Sequence, residues 1–166
     1  MKRDNFQMDQ WPGFWIYLLH TQEVTVLRHV FLSAGFDLTP EQWSVMNRLV
    51  EKDGINQNRL AERTIKDRHN INRILNQLEK KGYIERRSDD SDKRVHIVFL
   101  TESGRMAYVK LFPKFLDHLR QRFKDISLED LDSLRRILQT MYRNIEGEDS
   151  KTGDRFAGII GRPRWR

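Results

Sequence analysis

The sequence predicts a mainly α fold with a small β-hairpin, and three observations carry that reading. Apolar residues recur at helical spacing along most of residues 11–146. Two short strand-like stretches, the second with alternating Val95, Ile97 and Phe99, sit directly after one strongly two-faced helical segment, and the six residues between them are all polar or charged. The chain has 166 residues, enough for one domain with a real core. That domain is expected over 1–146, with a basic tail over 147–166.

The first helix, at about 11–33, is opened by Pro12 near its first turn. Phe14, Trp15, Ile16, Leu18, Leu19, Val24, Val26, Leu27, Val30 and Phe31 surround much of its circumference. A helix of that kind needs cover on more than one side. A second subunit would supply it, which makes Trp15 and Leu19 candidate dimer contacts. The next helix starts at Thr39-Pro40-Glu41-Gln42, where Thr39 can cap, Pro40 fits the first position and Gln42 can reach back. It ends at Asp53-Gly54. Asn56 caps a short helix containing Leu60 and Ala61, and Asp67 caps a longer one over 68–81, closed by Gly82.

Two strands are predicted at 83–87 and 94–100, joined by the polar tip Ser88-Asp89-Asp90-Ser91-Asp92-Lys93. Thr101 caps a long helix with a bend expected at Pro113. Ser127 starts the last helix, in which Leu131, Leu134, Leu138, Met141 and Ile145 recur at steps of three and four. Such a seam suits packing against another helix. This order is that of a winged helix-turn-helix, at about 38–100, flanked by N- and C-terminal dimerisation helices at about 11–33 and 102–146.

Charge is unevenly spread. Lys and Arg number 30 against 24 Asp and Glu, a formal +6. Residues 59–94 carry eleven basic and seven acidic side chains, and residues 151–166 carry five and one, so the rest of the chain is slightly acidic. There is no cysteine, which excludes disulfides, zinc-thiolate sites and cysteine nucleophiles and fits a cytoplasmic location. The apolar stretch at 14–19 is too short to span a bilayer. A signal peptide is disfavoured by Asp4 and Asp9 before that stretch and Glu23 and Arg28 after it. No membrane partner is expected.

The helix over 68–81 holds the candidate chemistry. Ile71, Ile74, Leu75 and Leu78 fall on one face, with His69, Arg73, Asn76 and Lys80 opposite and Asn70, Asn72 and Gln77 on the flanks. The outer face has no acidic residue. A merely solvated face would mix Glu with Lys, whereas this one offers guanidinium and amide groups suited to base edges in a major groove. The helix start, flanked by Lys66 and Arg68, favours phosphate. In the hairpin, Arg94 is placed for a minor groove with Asp92 to hold its guanidinium, while Lys93 and Arg87 can meet phosphates. Asp89 and Asp90 read as turn formers. The candidate DNA-binding residues are therefore Lys66, Arg68, His69, Asn70, Asn72, Arg73, Arg87, Asp92, Lys93 and Arg94. The candidate dimer residues are Trp15, Leu19, Leu131, Leu134, Leu138 and Met141.

The histidines at 20, 29, 69, 96 and 118 show no metal-ligand spacing, and neither a Gly-rich phosphate loop nor a Gly-x-Ser-x-Gly elbow is present. No cofactor, metal or catalytic residue is expected. His20 and His29 read as polar groups of a dimer core or pocket, and Trp15, Tyr17 and Trp43 as core packing rather than pocket lining. A winged helix used for protein or RNA interaction stays open as an alternative.

The chain resembles the MarR/SlyA regulators. The resemblance runs through Leu38-Thr39-Pro40-Glu41-Gln42-Trp43, Leu60-Ala61-Glu62-Arg63, the stretch 72–86, Asp92-Lys93-Arg94 and Leu100-Thr101-Glu102-Ser103-Gly104-Arg105. It implies a bacterial homodimer joined through its first and last helices, with two recognition helices in successive major grooves of a pseudo-palindromic double-stranded operator. It further implies that Arg68, His69, Asn70 and Arg73 read the duplex with Asp92 and Arg94 of the wing. Many relatives are repressors released by a small, often aromatic or anionic, molecule of an identity this sequence does not specify. The chain departs from the pattern at Thr64-Ile65-Lys66, where relatives often have Leu-Gly-Val, and in its tail over 151–166.

Overall fold

The structure, a computed structural model, describes residues 7–64 and 68–146. A short 3-10 turn, Met8–Gln10, leads into α1 (Pro12–Ser33), followed by α2 (Pro40–Glu51), β1 (Ile55–Asn56), α3 (Gln57–Thr64) and α4 (Arg68–Lys80). The hairpin strands are β2 (Ile84–Ser88) and β3 (His96–Leu100), and the chain continues through α5 (Glu102–Arg122) and α6 (Leu128–Glu146). The expected caps are in place. Thr39 Oγ1 accepts the Gln42 N–H at 3.2 Å while Gln42 Oε1 accepts the Thr39 N–H at 3.1 Å. Thr101 Oγ1 accepts from the Gly104 N–H at 3.0 Å, and Ser127 Oγ from the Asp130 N–H at 3.0 Å. The Asp67 cap and the basic tail lie outside the described residues.

Two expectations about the hairpin are corrected. The hairpin is part of a three-stranded antiparallel sheet, ordered β1-β3-β2, in which Ile55 pairs with Val98 and Ile84 with Leu100. Strand β1 has two residues, too few to leave an alternating pattern in the sequence. Asn56 still caps as expected, its side chain accepting the Asn58 N–H at 2.8 Å. The second hairpin strand begins at His96 rather than 94, because the Val95 N–H turns back to the Asp92 carbonyl at 2.9 Å. Helix α5 runs unbroken through Pro113.

The core lies inside the 38–100 lobe. Leu38, Val45, Met46, Leu49, Leu60, Ile71, Ile74, Leu75, Leu78, Ile84 and Val98 are buried there, joined by Leu27 and Phe31 of α1 and Ala107 and Leu111 of α5. An aromatic stack ties the lobe to the long helices. Trp43 lies against Tyr108 at 4.8 Å between ring centres, nearly parallel, and against Phe31 at 5.3 Å. Trp43 is thus core, as expected.

Two further contacts root α5 on the sheet. Asp53 accepts the Leu100 N–H at 2.9 Å and pairs with Arg105, joining the end of α2 to β3 and α5. Gly104 lies so close to the hairpin that an added Cβ would stand 2.0 Å from the Tyr83 carbonyl oxygen. Backbone cannot yield as a flexible side chain would. Gly104→Ala is therefore expected to lower unfolding free energy by at least about 1–3 kcal/mol, the usual range for overpacking. Thermal or denaturant melts check this, and an unchanged midpoint would mean that α5 is not seated this closely.

Candidate nucleic-acid interface

Helix α4 is turned as its sequence requires. Ile71, Ile74, Leu75 and Leu78 are all at most 1% exposed, while His69, Asn72, Arg73, Asn76, Gln77 and Lys80 are exposed and Asn70 is half-buried. Lys66 and the Arg68 side chain lie outside the described residues. The outward residues are more tied to neighbouring elements than one helix viewed alone suggests. The Gln77 carbonyl accepts from Gln42 Nε2 of α2 at 2.9 Å. Gln57 of α3 donates to the Asn72 side-chain oxygen at 2.6 Å, and Arg86 of β2 donates to that of Asn76 at 2.7 Å. Arg73 Nη2 is 3.3 Å from Glu41 Oε2 in the first turn of α2. The outward side of α4 is not free of acid as expected: Glu79, its side chain 38% exposed, stands beside Asn76 and is paired with Arg86, and a carboxylate from another helix stands on the central arginine.

Sequence reasoning missed Glu41, Gln57 and Arg86, because their roles arise between elements. Arg86 holds the hairpin to α4: its Nε donates to Glu79 Oε2 at 3.1 Å and its Nη2 bonds the same carboxylate. That hydrogen-bonded guanidinium keeps the Glu79 carboxyl below the usual glutamate range, against the opposing effect of partial burial.

The wing tip is built by short side chains bonding their own backbone. Asp89 Oδ1 accepts the Ser91 N–H at 2.9 Å and the Asp92 N–H at 3.2 Å, the turn-forming role expected of it. Asp92 is a correction. Its carboxylate accepts the Arg94 backbone N–H at 3.0 Å instead of holding the guanidinium. A two-residue separation inside a tight turn places that carboxylate beside the amide. Among the described residues Arg94 has no ion-pair partner, and both it and Lys93 are exposed. Arg87 is exposed but engaged, paired with Glu85 and lying over the Phe99 ring at 4.8 Å.

On α1 and α6, large apolar side chains stand open. Trp15 is 50%, Leu19 53%, Leu134 47% and Leu138 38% exposed, and Leu131 and Met141 are half-buried. Not one of residues 128–145 is fully buried. Within this chain Trp15 and Tyr17 are not core, contrary to the packing role expected of them, and His20 and His29 are also exposed. No helix among the described residues is long and apolar enough to cross a membrane.

Comparison with known proteins settles the class. Residues 36–95 match the family model described as MarR family. An uncharacterized HTH-type transcriptional regulator of Bacillus cereus (strain ATCC 10987) is 31% identical over 137 residues, covering 81% of this chain and 90% of that one. The chain belongs to the MarR family. It is a DNA-binding transcription regulator of that family rather than an enzyme. Among solved MarR-like folds, the transcriptional repressor CouR bound to a 23-mer DNA duplex superposes with a TM-score of 0.74 at 25% identity, covering 84% of this chain and 100% of CouR. CouR from Rhodococcus jostii RHA1, bound to p-coumaroyl-CoA, shares the fold with a TM-score of 0.71 at 20% identity, over 82% and 95% of the two chains.

The Glu79–Arg86 contact makes a pH prediction. A carboxyl whose folded pKa lies below its unfolded value stabilises fully above the ordinary value of 4.5, and that contribution is lost as pH falls through the lowered folded value. Wild type should therefore be more stable than Glu79→Gln at neutral pH, with the gap closing in acid below 4.5. Melts of both proteins across that range check it; a gap that widens in acid would contradict the assigned contact.

Proposed function

We propose that this MarR-family regulator is a cytoplasmic homodimer that represses transcription by reading a pseudo-palindromic duplex operator, and that a small molecule releases it. The observation that carries the reading is the setting of α4. Its apolar side is wholly buried, and its outward side presents amides, His69 and Arg73. Arg68, His69, Asn70, Asn72 and Arg73 are the proposed readers, with Lys66, Arg87, Lys93 and Arg94 on phosphates or in the minor groove. Asp92 sets the turn that carries Arg94. The DNA-bound CouR supports the repressor reading, and the p-coumaroyl-CoA-bound CouR supports an effector, whose identity does not carry over from that protein.

Duplex selection from random DNA, followed by titration of the winning sequence at rising salt, tests this directly. A dimer that neutralises several phosphates should lose affinity on the order of a thousandfold or more between roughly 50 and 200 mM salt. Binding indifferent to salt would favour a protein-interaction module instead.

The dimer is proposed to form through the open apolar faces of α1 and α6, with Trp15, Leu19, Leu131, Leu134, Leu138 and Met141 at the contact. The double variant Leu134→Glu/Leu138→Glu should sediment as a monomer with its lobe still folded. A variant that sediments with wild type would remove α6 from the interface.

A further inference from the structure

We propose that Glu41 is a specificity-determining residue that aims Arg73 at its base, a role resting on the reading above that Arg73 contacts DNA. The position of Glu41 is fixed by bonds on either side of it. The Thr39–Gln42 capping box sets the first turn of α2. Gln42, only 2% exposed, is bonded to Gln77 of α4 at 2.9 Å, and Lys81 at the end of α4 bonds the Asp37 carbonyl and reaches Gln42 Oε1 at 3.4 Å. The start of α2 is thereby held against α4, and the Glu41 carboxylate arrives 3.3 Å from Arg73 Nη2.

The Glu41–Arg73 pair itself contributes little to fold stability and does not raise general affinity. Both partners are more than 40% exposed, and exposed ion pairs add little to folding. A negative charge beside duplex phosphates opposes non-specific binding. What the pair supplies is direction. A guanidinium reads guanine through two parallel hydrogen bonds, which requires its plane to be set, and a free arginine side chain samples many rotamers. With one Nη tethered to Glu41, the outward edge of the fork is oriented before DNA arrives, so less freedom is lost on contact. Glu41 thus exchanges general affinity for discrimination.

The test uses the full chain, the duplex it selects from random DNA, single-base-pair variants of that duplex, and an unrelated duplex. Arg73→Ala first locates the base pair at which discrimination falls. At that pair, Glu41→Ala should reduce discrimination by about two- to fivefold, the scale of an exposed ion pair. The same variant should bind the unrelated duplex more tightly than wild type. Glu41→Gln, which keeps a hydrogen-bond acceptor, should fall between. In the Arg73→Ala background, adding Glu41→Ala should change discrimination by less than twofold. Melts of each variant accompany the binding, and an unfolded Glu41→Ala protein hands the decision to Glu41→Gln. If Arg73→Ala matters and the Glu41 variants leave discrimination intact, the aiming role is wrong and the reading of Arg73 stands. If Glu41→Ala acts equally without Arg73, Glu41 works by another route and the proposal is overturned. If Arg73→Ala changes discrimination nowhere, the reader assignment itself falls and takes the proposal with it.

Discussion

Everything outward-facing on this lobe depends on the angle at which α4 is rotated about its own axis. Ile71, Ile74, Leu75 and Leu78 are sealed in the core, and successive residues of a helix are about 100° apart. A slip of one position would therefore drive Asn72 or Asn76 inward and leave apolar side chains in water. Hydrophobic burial sets the angle coarsely, and polar bonds to three neighbours then hold it: Gln42 to Gln77, Gln57 to Asn72, and Arg86 to Asn76. The buried side fixes which groups can be offered, and the bonded amides fix how far they can stray.

A second constraint links that lobe to the long helices. Trp43 sits where α1, α2 and α5 converge, stacked on Tyr108, whose hydroxyl donates to Asn47 at 3.0 Å. Burial pushes the Tyr108 hydroxyl toward its neutral form. The lobe is therefore wedded to the roots of α1 and α5 by close ring packing, while none of the described residues of α6 is fully buried. Helices α1 and α6 carry exposed large apolar side chains, among them Trp15, Leu19, Leu134 and Leu138.

What could be read from residues alone divides along physical lines. The two faces of α4, the Thr39, Thr101 and Ser127 caps, and the seam of α6 are properties of single elements, and period and cap chemistry write them into adjacent letters. The third strand was not legible, since Ile55 and Asn56 are too short a run to show alternation and exist only because β3 is there to pair with. The same holds for Arg73 and Glu41, 32 positions apart and joined only by how α2 crosses α4. Asp92 shows the opposite failure: the residue was found, but a local backbone amide won over the nearby guanidinium. Trp15 and Tyr17 have the spacing of core residues, yet within one chain both are exposed.

Helix α5 has one weak rung. Pro113 has no N–H to give the carbonyl four residues earlier, at Val109, and Val109 is itself 65% exposed. Its base is clamped to the sheet by Asp53 and by the Gly104 contact, so compliance is concentrated partway along the helix. Any bending of α5 is expected to gather at that rung rather than at the foot of the helix on the sheet.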